Sequence, residues 1–196
     1  MLSFKILILL TKLLFTYSIL MNNEFMLKKR CTNCEKCTNG FTGSGVLLYE
    51  KNSNDKKTFV LGIDYKNELT DFGGKTDNNK EKVYITALRE CNEETKGILN
   101  LIPSDIITSE HIDIPRNEHK YRCYIVKTNY FDINKFNSKK IKNNNLDDNE
   151  IVNIIKINED ELKKIINLTY SNNATEITPY FISSRLSKIL KIYYSI

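Results

Sequence analysis

The sequence predicts a single α/β domain, in which strands surround one central helix and further helices follow at the carboxyl end. The chain has 196 residues, of which 41% are hydrophobic and 27% charged. This composition is ordinary for a soluble domain with a sizeable core. Segments with strand patterns stand on both sides of one segment with helical spacing, and no internal repeat is visible. Such an order of elements is typical of a layered α/β domain.

The first strands form a predicted hairpin. GVLLYEK (45–51) and KTFVLGIDY (57–65) have the composition of strands, and the polar segment NSNDK joins them. Residues 67–82 contain a glycine pair and few apolar residues, so we expect a loop there. The later segments predict a strand pair at 105–114 and 119–128 with a turn at 115–118, a polar loop at 134–149, a strand at 150–157, and helices at 159–166 and 179–194.

The central helix is predicted to begin near Glu81 and to end at Gly97, because glycine commonly follows a helix C-terminus. Its apolar face is marked by residues that recur at intervals of three or four positions. These residues are Tyr84, Leu88, Cys91 and Thr95. We expect Leu88 and Cys91 to face the core.

The segment RECNEETKG in this helix carries three glutamates and one arginine within six positions. Glu90, Glu93 and Glu94 stand at i, i+3 and i+4, so their carboxylates share one helix face. Mg2+ favours a few carboxylates together with phosphates and water. Arg89 can pair with Glu93 or reach back to Glu81, which would hold the acids in place. A solvated acidic stripe is the alternative interpretation.

A glycine pair precedes this helix. Gly73 and Gly74 allow the backbone to approach a ligand or metal closely and to adopt positive φ. We expect these two residues, followed by Lys75, to lie ahead of a helix N-terminus, where backbone amides favour anions. A glycine turn followed by an acidic helix therefore favours a site for a metal and a phosphate, with Gly73, Gly74 and Lys75 toward the substrate.

This stretch resembles the signature of the Nudix hydrolases, G-x5-E-x7-R-E-U-x-E-E-x-G-U, in which U is a bulky apolar residue. The residues in register with it are Glu81, Arg89, Glu90, Cys91, Glu93 and Glu94. The interval from Gly74 to Glu81 is one residue longer than the pattern, and Gly97 comes one residue late. Both insertions lie at the ends of the helix, where they leave the carboxylate spacing intact. The resemblance covers roughly residues 40–195.

The resemblance implies a fold, an activity and a set of ligands. The fold would be an α/β/α sandwich with a mixed β-sheet, and the activity hydrolysis of a nucleoside diphosphate linked to another group. Glu90, Glu93 and Glu94 would bind Mg2+ or Mn2+, with Glu90 also a candidate base for the attacking water. The backbone carbonyl of Gly73 or Gly74 would add a ligand.

Two further roles follow from the resemblance. Glu81 and Arg89 would form an ion pair that orients the helix. Many relatives add a carboxylate from a later loop, and here Glu150 is the first candidate, with Asp147 and Asp148 behind it.

The substrate is left open by the sequence. The net charge of +5 is compatible with anionic ligands, and the family covers nucleotides, nucleotide sugars, dinucleoside polyphosphates, inositol pyrophosphates and RNA caps. Residue usage and the amino-terminal cysteines look similar to proteins of large DNA viruses and some protists, which favours a nucleotide or capped RNA. The departures from the signature also fit a catalytically silent Nudix-fold module that binds a nucleotide, an RNA cap or a protein partner.

The five cysteines fall into two groups. Cys91 and Cys123 lie in apolar-periodic segments, which predicts small core residues. Cys31, Cys34 and Cys37 form CTNCEKC and supply three of the four ligands of a tetrahedral Zn2+ site. No Cys or His follows nearby, so a partial zinc site and redox-active or merely exposed thiols are all open interpretations.

A strongly hydrophobic run occupies residues 2–20. Two lysines interrupt it, and its apolar blocks are shorter than the roughly 20 residues of a membrane span. It is interpreted either as a signal or membrane anchor, or as a non-functional leader before a start at Met21 or Met26. We favour the second interpretation, and with it a cytoplasmic location.

The chain is therefore divided into three predicted parts. They are a hydrophobic extension at 1–25, a cysteine-rich segment at 26–43 and a Nudix-like domain at 44–196.

Overall fold

A computed structural model describes five stretches of the chain, namely 40–77, 81–116, 119–139, 151–170 and 180–195. Within these stretches the chain forms eight strands and five helices. The strands are β1 (Phe41–Lys51), β2 (Lys57–Asp64), β3 (Glu68–Thr70), β4 (Phe72–Lys75), β5 (Glu110–Arg116), β6 (His119–Lys127), β7 (Ile151–Asn158) and β8 (Phe181–Ile182). The helices are α1 (Val83–Glu94), α2 (Pro103–Ile107), α3 (Ile133–Ser138), α4 (Glu159–Tyr170) and α5 (Ser184–Tyr194).

The described strands form one mixed sheet. Its order is β5-β6-β1-β2-β3-β8, and in addition β4 pairs with β1 and β7 pairs with β2. The β1–β6 and β3–β8 pairs are parallel, whereas the other pairs are antiparallel. Residues 43–46 of β1 pair with β4, and residues 48–51 pair with β2. The first half of β1 therefore lies beside the glycine pair.

Helices cover both faces of the sheet. One hydrophobic cluster joins the sheet to α4 and α5, and a second joins it to α1, α2 and α3. Strand β6 contributes side chains to both clusters. Cys123 and Ile125 belong to the first cluster, and Tyr124 and Val126 belong to the second. The sequence of a strand that is buried on both faces is a continuous run of apolar residues. The predicted α/β/α sandwich with a mixed sheet is confirmed.

The predicted hairpin at 45–65 is also confirmed. Its turn is closed by Asn52, whose side-chain oxygen accepts hydrogen bonds from the backbone N–H groups of Asn54 and Lys56, both over 3.0 Å. Asp55 adopts a φ of 60° in this turn, a conformation that Asp tolerates better than most residues. Local side-chain hydrogen bonds thus set the connection between β1 and β2.

The prediction of a loop at 67–82 was wrong for the first half of this range. Residues 68–70 and 72–75 form β3 and β4, and Gly73 pairs with Gly45 while Gly74 pairs with Ser44. Two glycines lower the strand propensity of this segment, but the backbone groups of β1 offer it hydrogen-bonding partners. Pairing with β1 decides the conformation here.

The left-handed position after the central helix comes one residue earlier than the predicted Gly97. The left-handed position that closes the helix is Lys96 (φ 54°), followed by Gly97 (φ 62°). Gly97 N–H donates to the Asn92 carbonyl over 2.7 Å and Lys96 N–H to the Glu93 carbonyl over 2.9 Å, which is the hydrogen-bond pattern of a Schellman motif. The late glycine is thus accommodated after the last helical residue, Glu94.

Other boundaries also differ from the predictions. The helix predicted at 179–194 begins only at Ser184, and residues 181–182 form β8, which pairs with β3. Residues 103–107 form α2, so the strand predicted from 105 begins only at Glu110. Pro103 occupies the first position of this short helix, where proline is favoured. Residues 133–138 form α3 where a loop was predicted, and Asp132 caps it by accepting a hydrogen bond from the Lys135 N–H over 3.0 Å. Among the described helices, none is long and apolar enough to cross a membrane.

Candidate active site

An ion pair between Glu81 and Arg89 fixes the start of α1. Arg89 Nε donates to Glu81 Oε1 over 3.1 Å, and Glu81 Oε2 accepts from the Thr86 hydroxyl over 2.9 Å and the Asp77 N–H over 2.8 Å. Burial alone would raise the pKa of Glu81, but the hydrogen bonds from Arg89, Asp77 and Thr86 lower this pKa below its usual value. The structure therefore brings Glu81 and Arg89 together, as the sequence predicted.

Arg89 also connects the acidic face of α1 to strand β4. Its Nη1 donates to Glu90 Oε1 over 2.9 Å and to Glu93 Oε2 over 3.2 Å, and its Nη2 donates to the Lys75 carbonyl over 2.9 Å. One guanidinium thus offsets the repulsion between neighbouring carboxylates. Both predicted partners of Arg89, Glu81 and Glu93, are bonded at once.

The Glu90 carboxylate lies directly over Gly74 of β4. A Cβ atom at Gly74 would stand 2.4 Å from Glu90 Oε2 and 2.6 Å from Glu90 Oε1, which is closer than van der Waals contact. The side chain of Glu90 is only 16% exposed. The missing side chain of Gly74 therefore makes the space in which this carboxylate sits.

The prediction that the glycine pair forms a turn with positive φ was wrong. Gly40 and Gly97 are the glycines with positive φ in the described part of the chain, and Gly73 and Gly74 are extended strand residues. Their lack of a side chain serves close packing instead. Gly74 accommodates Glu90, and Gly73 lies against the hydroxyl of Tyr121.

Glu94 is the last of the three helix glutamates that were predicted as ligands. Burial raises the pKa of its carboxyl well above the usual value, and the charges of Asp71 and Glu90 add to this effect. The charge of Arg185 and a hydrogen bond from the Gly73 backbone oppose it. Its Oε2 atom is buried and has no hydrogen-bond partner among the described residues.

An unpartnered buried carboxylate oxygen is costly unless a cation or donor satisfies it. Glu94 Oε2 therefore fits a role as a metal ligand, and the charge of Glu90 acts on the same carboxyl. Both are hard oxygen donors of the kind that Mg2+ and Mn2+ take. Glu93 is 56% exposed and bonded to Arg89, so it stands at the rim of this acidic face.

The described side chains contain no preformed group of three or more His, Cys, Asp or Glu residues close enough to share one metal ion. The three glutamates share the helix face predicted for them, but their carboxylates do not converge. Glu90 and Glu93 instead meet at Arg89. Lys75 is exposed at the end of β4 and contributes its carbonyl to Arg89.

Sequence reasoning missed a polar network beneath the glycine pair. Asp71 is fully buried, and its carboxylate accepts hydrogen bonds from the Tyr121 hydroxyl and from Arg185 Nε, each over 2.7 Å. The residues that bond to Asp71 lie 50 and 114 positions away in sequence. The signals available were an aspartate directly before Phe72 in LTDFGG and an arginine in the first turn of the helix that follows Ser183.

Several predicted ligands lie outside the described residues. These are Cys31, Cys34 and Cys37 of the zinc prediction, Glu150 of the metal prediction, and Asp147 and Asp148 behind it. The hydrophobic run at 2–20 lies outside them as well. Cys91 and Cys123 are buried, as predicted, with exposures of 1% and 0%.

No family model and no curated protein matches the chain. Solved structures do match its fold. A C. elegans Ap4A hydrolase is 16% identical, with 79% of this chain and 97% of that chain covered and a TM-score of 0.42. A Nudix hydrolase from M. smegmatis, RenU, is 13% identical, with 63% and 74% covered and a TM-score of 0.41.

A third match is the C-terminal domain of mouse MUTYH, solved in complex with human PCNA. It is 8% identical, with 78% of this chain and 86% of that chain covered and a TM-score of 0.46. Nudix hydrolases are thus among the solved structures that this chain is similar to, as the signature predicted. Because identities of 16% or less and TM-scores of 0.46 or less carry no argument about activity, the functional argument depends on the residues of the site.

Proposed function

We propose that the protein is a metal-dependent hydrolase of the Nudix type. It would use Mg2+ or Mn2+ to cleave the phosphoanhydride bond of a nucleoside diphosphate linked to another moiety. The observation that carries this proposal is the buried Glu94 Oε2, which has no hydrogen-bond partner among the described residues. It belongs to the helix whose glutamates and arginine are in register with the Nudix signature.

The proposed metal ligands are side-chain carboxylates and one backbone carbonyl. Glu90 and Glu94 would hold the metal, with Glu93 at the rim, the Gly74 carbonyl as a backbone ligand and Glu150 as a further carboxylate. A divalent cation in this place would neutralise the diphosphate and make water a better nucleophile.

Other residues orient those ligands and supply the proton acceptor. Arg89, held by Glu81, keeps the Glu90 carboxylate over Gly74. Glu90 is also the candidate base that takes a proton from the attacking water. Lys75, which is exposed at the end of β4, would contact an anionic substrate together with the backbone of Gly73 and Gly74.

The proposed function also includes a class of substrate and a location in the cell. A nucleotide or another small molecule with a diphosphate, or the cap of an RNA, satisfies the chemistry of the site. Such substrates favour a cytoplasmic location, where reduced Cys31, Cys34 and Cys37 are free to hold Zn2+. A reporter fused after residue 30 tests the location, and its arrival in the secretory pathway would contradict it.

The activity is tested with a panel of nucleotides, caps and nucleotide sugars, with and without Mg2+ or Mn2+. We expect phosphate-containing products from at least one member, in the presence of metal only. Replacing Glu93→Gln together with Glu94→Gln should reduce turnover to the metal-free rate, because two carboxylates of the site are lost.

A matched control is available on another helix. Glu159→Gln with Glu161→Gln makes the same chemical change in the first turn of α4, and turnover should be unaffected. Metal-independent turnover would contradict the mechanism. So would full turnover after the substitutions at Glu93 and Glu94.

The second candidate function is a Nudix-fold module that binds its ligand without cleaving it. The observation that favours it is that the described carboxylates of α1 do not converge into a group of three. Under this alternative, members of the panel would bind in the presence of metal and be recovered intact.

A further inference from the structure

A buried ion pair connects the C-terminal helix to the strand that carries the glycine pair. Arg185, in the first turn of α5, donates from Nε to Asp71 Oδ1 over 2.7 Å. Its Nη2 donates to the Thr70 hydroxyl over 3.1 Å and to the Asp71 carbonyl over 3.2 Å. Because a buried carboxylate without a partner is strongly destabilising, this pair fixes α5 to the connection between β3 and β4.

Tyr121 of β6 completes the environment of Asp71. Its hydroxyl donates to Asp71 Oδ2 over 2.7 Å, and its ring lies under the Arg185 guanidinium, 5.1 Å from ring centroid to Cζ. The hydroxyl fits between two glycines, since a Cβ at either Gly45 or Gly73 would stand 2.1 Å from it. Side chains from β6 and α5 therefore hold Asp71 in one place.

This network ends at the glycine pair of β4. The Tyr121 hydroxyl that bonds to Asp71 lies against Gly73, and the next residue, Gly74, lies under the Glu90 carboxylate. A displacement of Asp71 or Tyr121 would therefore move the part of β4 on which the Glu90 carboxylate sits.

We propose that Asp71, Tyr121 and Arg185 are positioning residues, which set the place of β4 and of the Glu90 carboxylate over it, and thereby the affinity of the site for a divalent metal. This inference rests on the proposed function, because it assumes that Glu90 is a metal ligand. Groups that orient metal ligands through hydrogen bonds change metal affinity by roughly 10- to 100-fold when they are replaced. The C-terminal helix is then part of the site, although it lies on the opposite face of the sheet from α1.

The test is Mn2+ binding by the full chain, followed by the electron paramagnetic resonance signal of free Mn2+. Asp71→Asn with Arg185→Gln removes both charges of the pair, and we expect Mn2+ affinity to fall by about 10-fold or more. The matched control is Asp113→Asn with Arg122→Gln, because that pair joins β5 and β6 through bonds of 2.6 and 2.8 Å. The control should keep the wild-type affinity.

A second variant removes the risk that loss of the ion pair prevents folding. Tyr121→Phe deletes only the hydroxyl, and it should weaken Mn2+ binding in the same direction by a smaller factor. Wild-type affinity in both the Asp71/Arg185 double variant and Tyr121→Phe would overturn the inference and leave the proposed function intact. Failure of the wild-type chain to bind Mn2+ would instead overturn the proposed function, and the inference with it.

Discussion

Alanine substitutions at Gly73 and Gly74 should have different consequences, although the two residues are neighbours in β4. At Gly74, the new methyl carbon would stand 2.4 to 2.6 Å from the carboxylate atoms of Glu90. Contacts between carbon and other heavy atoms are favourable at about 3.5 Å, so the carboxylate has to move by about 1 Å. Since it is the far end of a flexible side chain, the backbone can remain in place.

The Gly74→Ala variant should therefore lose activity and keep its stability. A displacement of about 1 Å at a catalytic group lowers the rate by roughly 100-fold. The free energy of unfolding should change by less than about 1 kcal/mol, because alanine in a strand recovers roughly 0.5–1 kcal/mol relative to glycine.

In the Gly73→Ala variant, the new Cβ atom would clash with atoms that cannot move away. Its Cβ would stand 2.1 Å from the Tyr121 hydroxyl, 2.4 Å from Gly45 Cα and 2.7 Å from the Ser44 carbonyl oxygen. Two of these atoms belong to the backbone of β1, and the third is held by Asp71. Overpacking of a rigid core costs about 1–3 kcal/mol, occasionally more, and we expect a loss at or above about 3 kcal/mol.

Urea denaturation followed by circular dichroism measures the stability of both variants. Turnover is measured on whichever member of the nucleotide panel the wild-type protein cleaves. A Gly73→Ala protein as stable as the wild type would refute the packing argument. A Gly74→Ala protein that loses as much stability as Gly73→Ala, or that keeps full turnover, would refute the link between Gly74 and Glu90.

Three other predictions follow from buried ionisable groups. The pKa of Glu94 is raised from 4.5 in the folded protein, so stability falls as pH rises above about 4.5. In urea titrations without metal, Glu94→Gln should exceed the wild type at pH 7 and match it in acid. The pKa of Glu81 is lowered from 4.5, so its contribution is present above that value and is lost as pH falls through the folded pKa. Glu81→Gln should thus be less stable than the wild type at pH 7, with a difference that shrinks in acid. Burial raises the pKa of the Cys91 and Cys123 thiols. Alkylation at about pH 8 followed by peptide mapping should leave both unmodified in the native protein, and modification of either would contradict their burial.

The part of the site that lies on one helix was predictable from sequence because helix geometry is local. The spacing of Glu90, Glu93 and Glu94 fixes their common face whatever the helix packs against. The interval from Glu81 to Arg89 likewise brought the ion pair within reach. The composition of the segments at 45–51 and 57–65, together with the polar turn between them, was enough to predict the central hairpin.

The part that sequence could not supply depends on pairing between distant segments. Strands β3 and β4 have only three and four residues, and their conformation is decided by β1, β2 and β8 rather than by propensity. In the sequence alone, Asp71 has the pattern of a loop residue. Its partners Tyr121 and Arg185 come close to it only through the sheet and α5. The left-handed conformation of Lys96 was not predicted, because glycine is the residue type that favours this conformation and Gly97 is the next residue.

Under the proposed function, the acidic face of α1 holds a divalent metal beside β4. A crystal of the protein soaked in Mn2+ tests it directly, because anomalous scattering locates the ion without assumptions about the substrate. We expect an anomalous peak within coordination distance of Glu94 Oε2 and the Glu90 carboxylate. A map with no peak at these oxygens, or with Mn2+ bound only elsewhere on the protein, would contradict it.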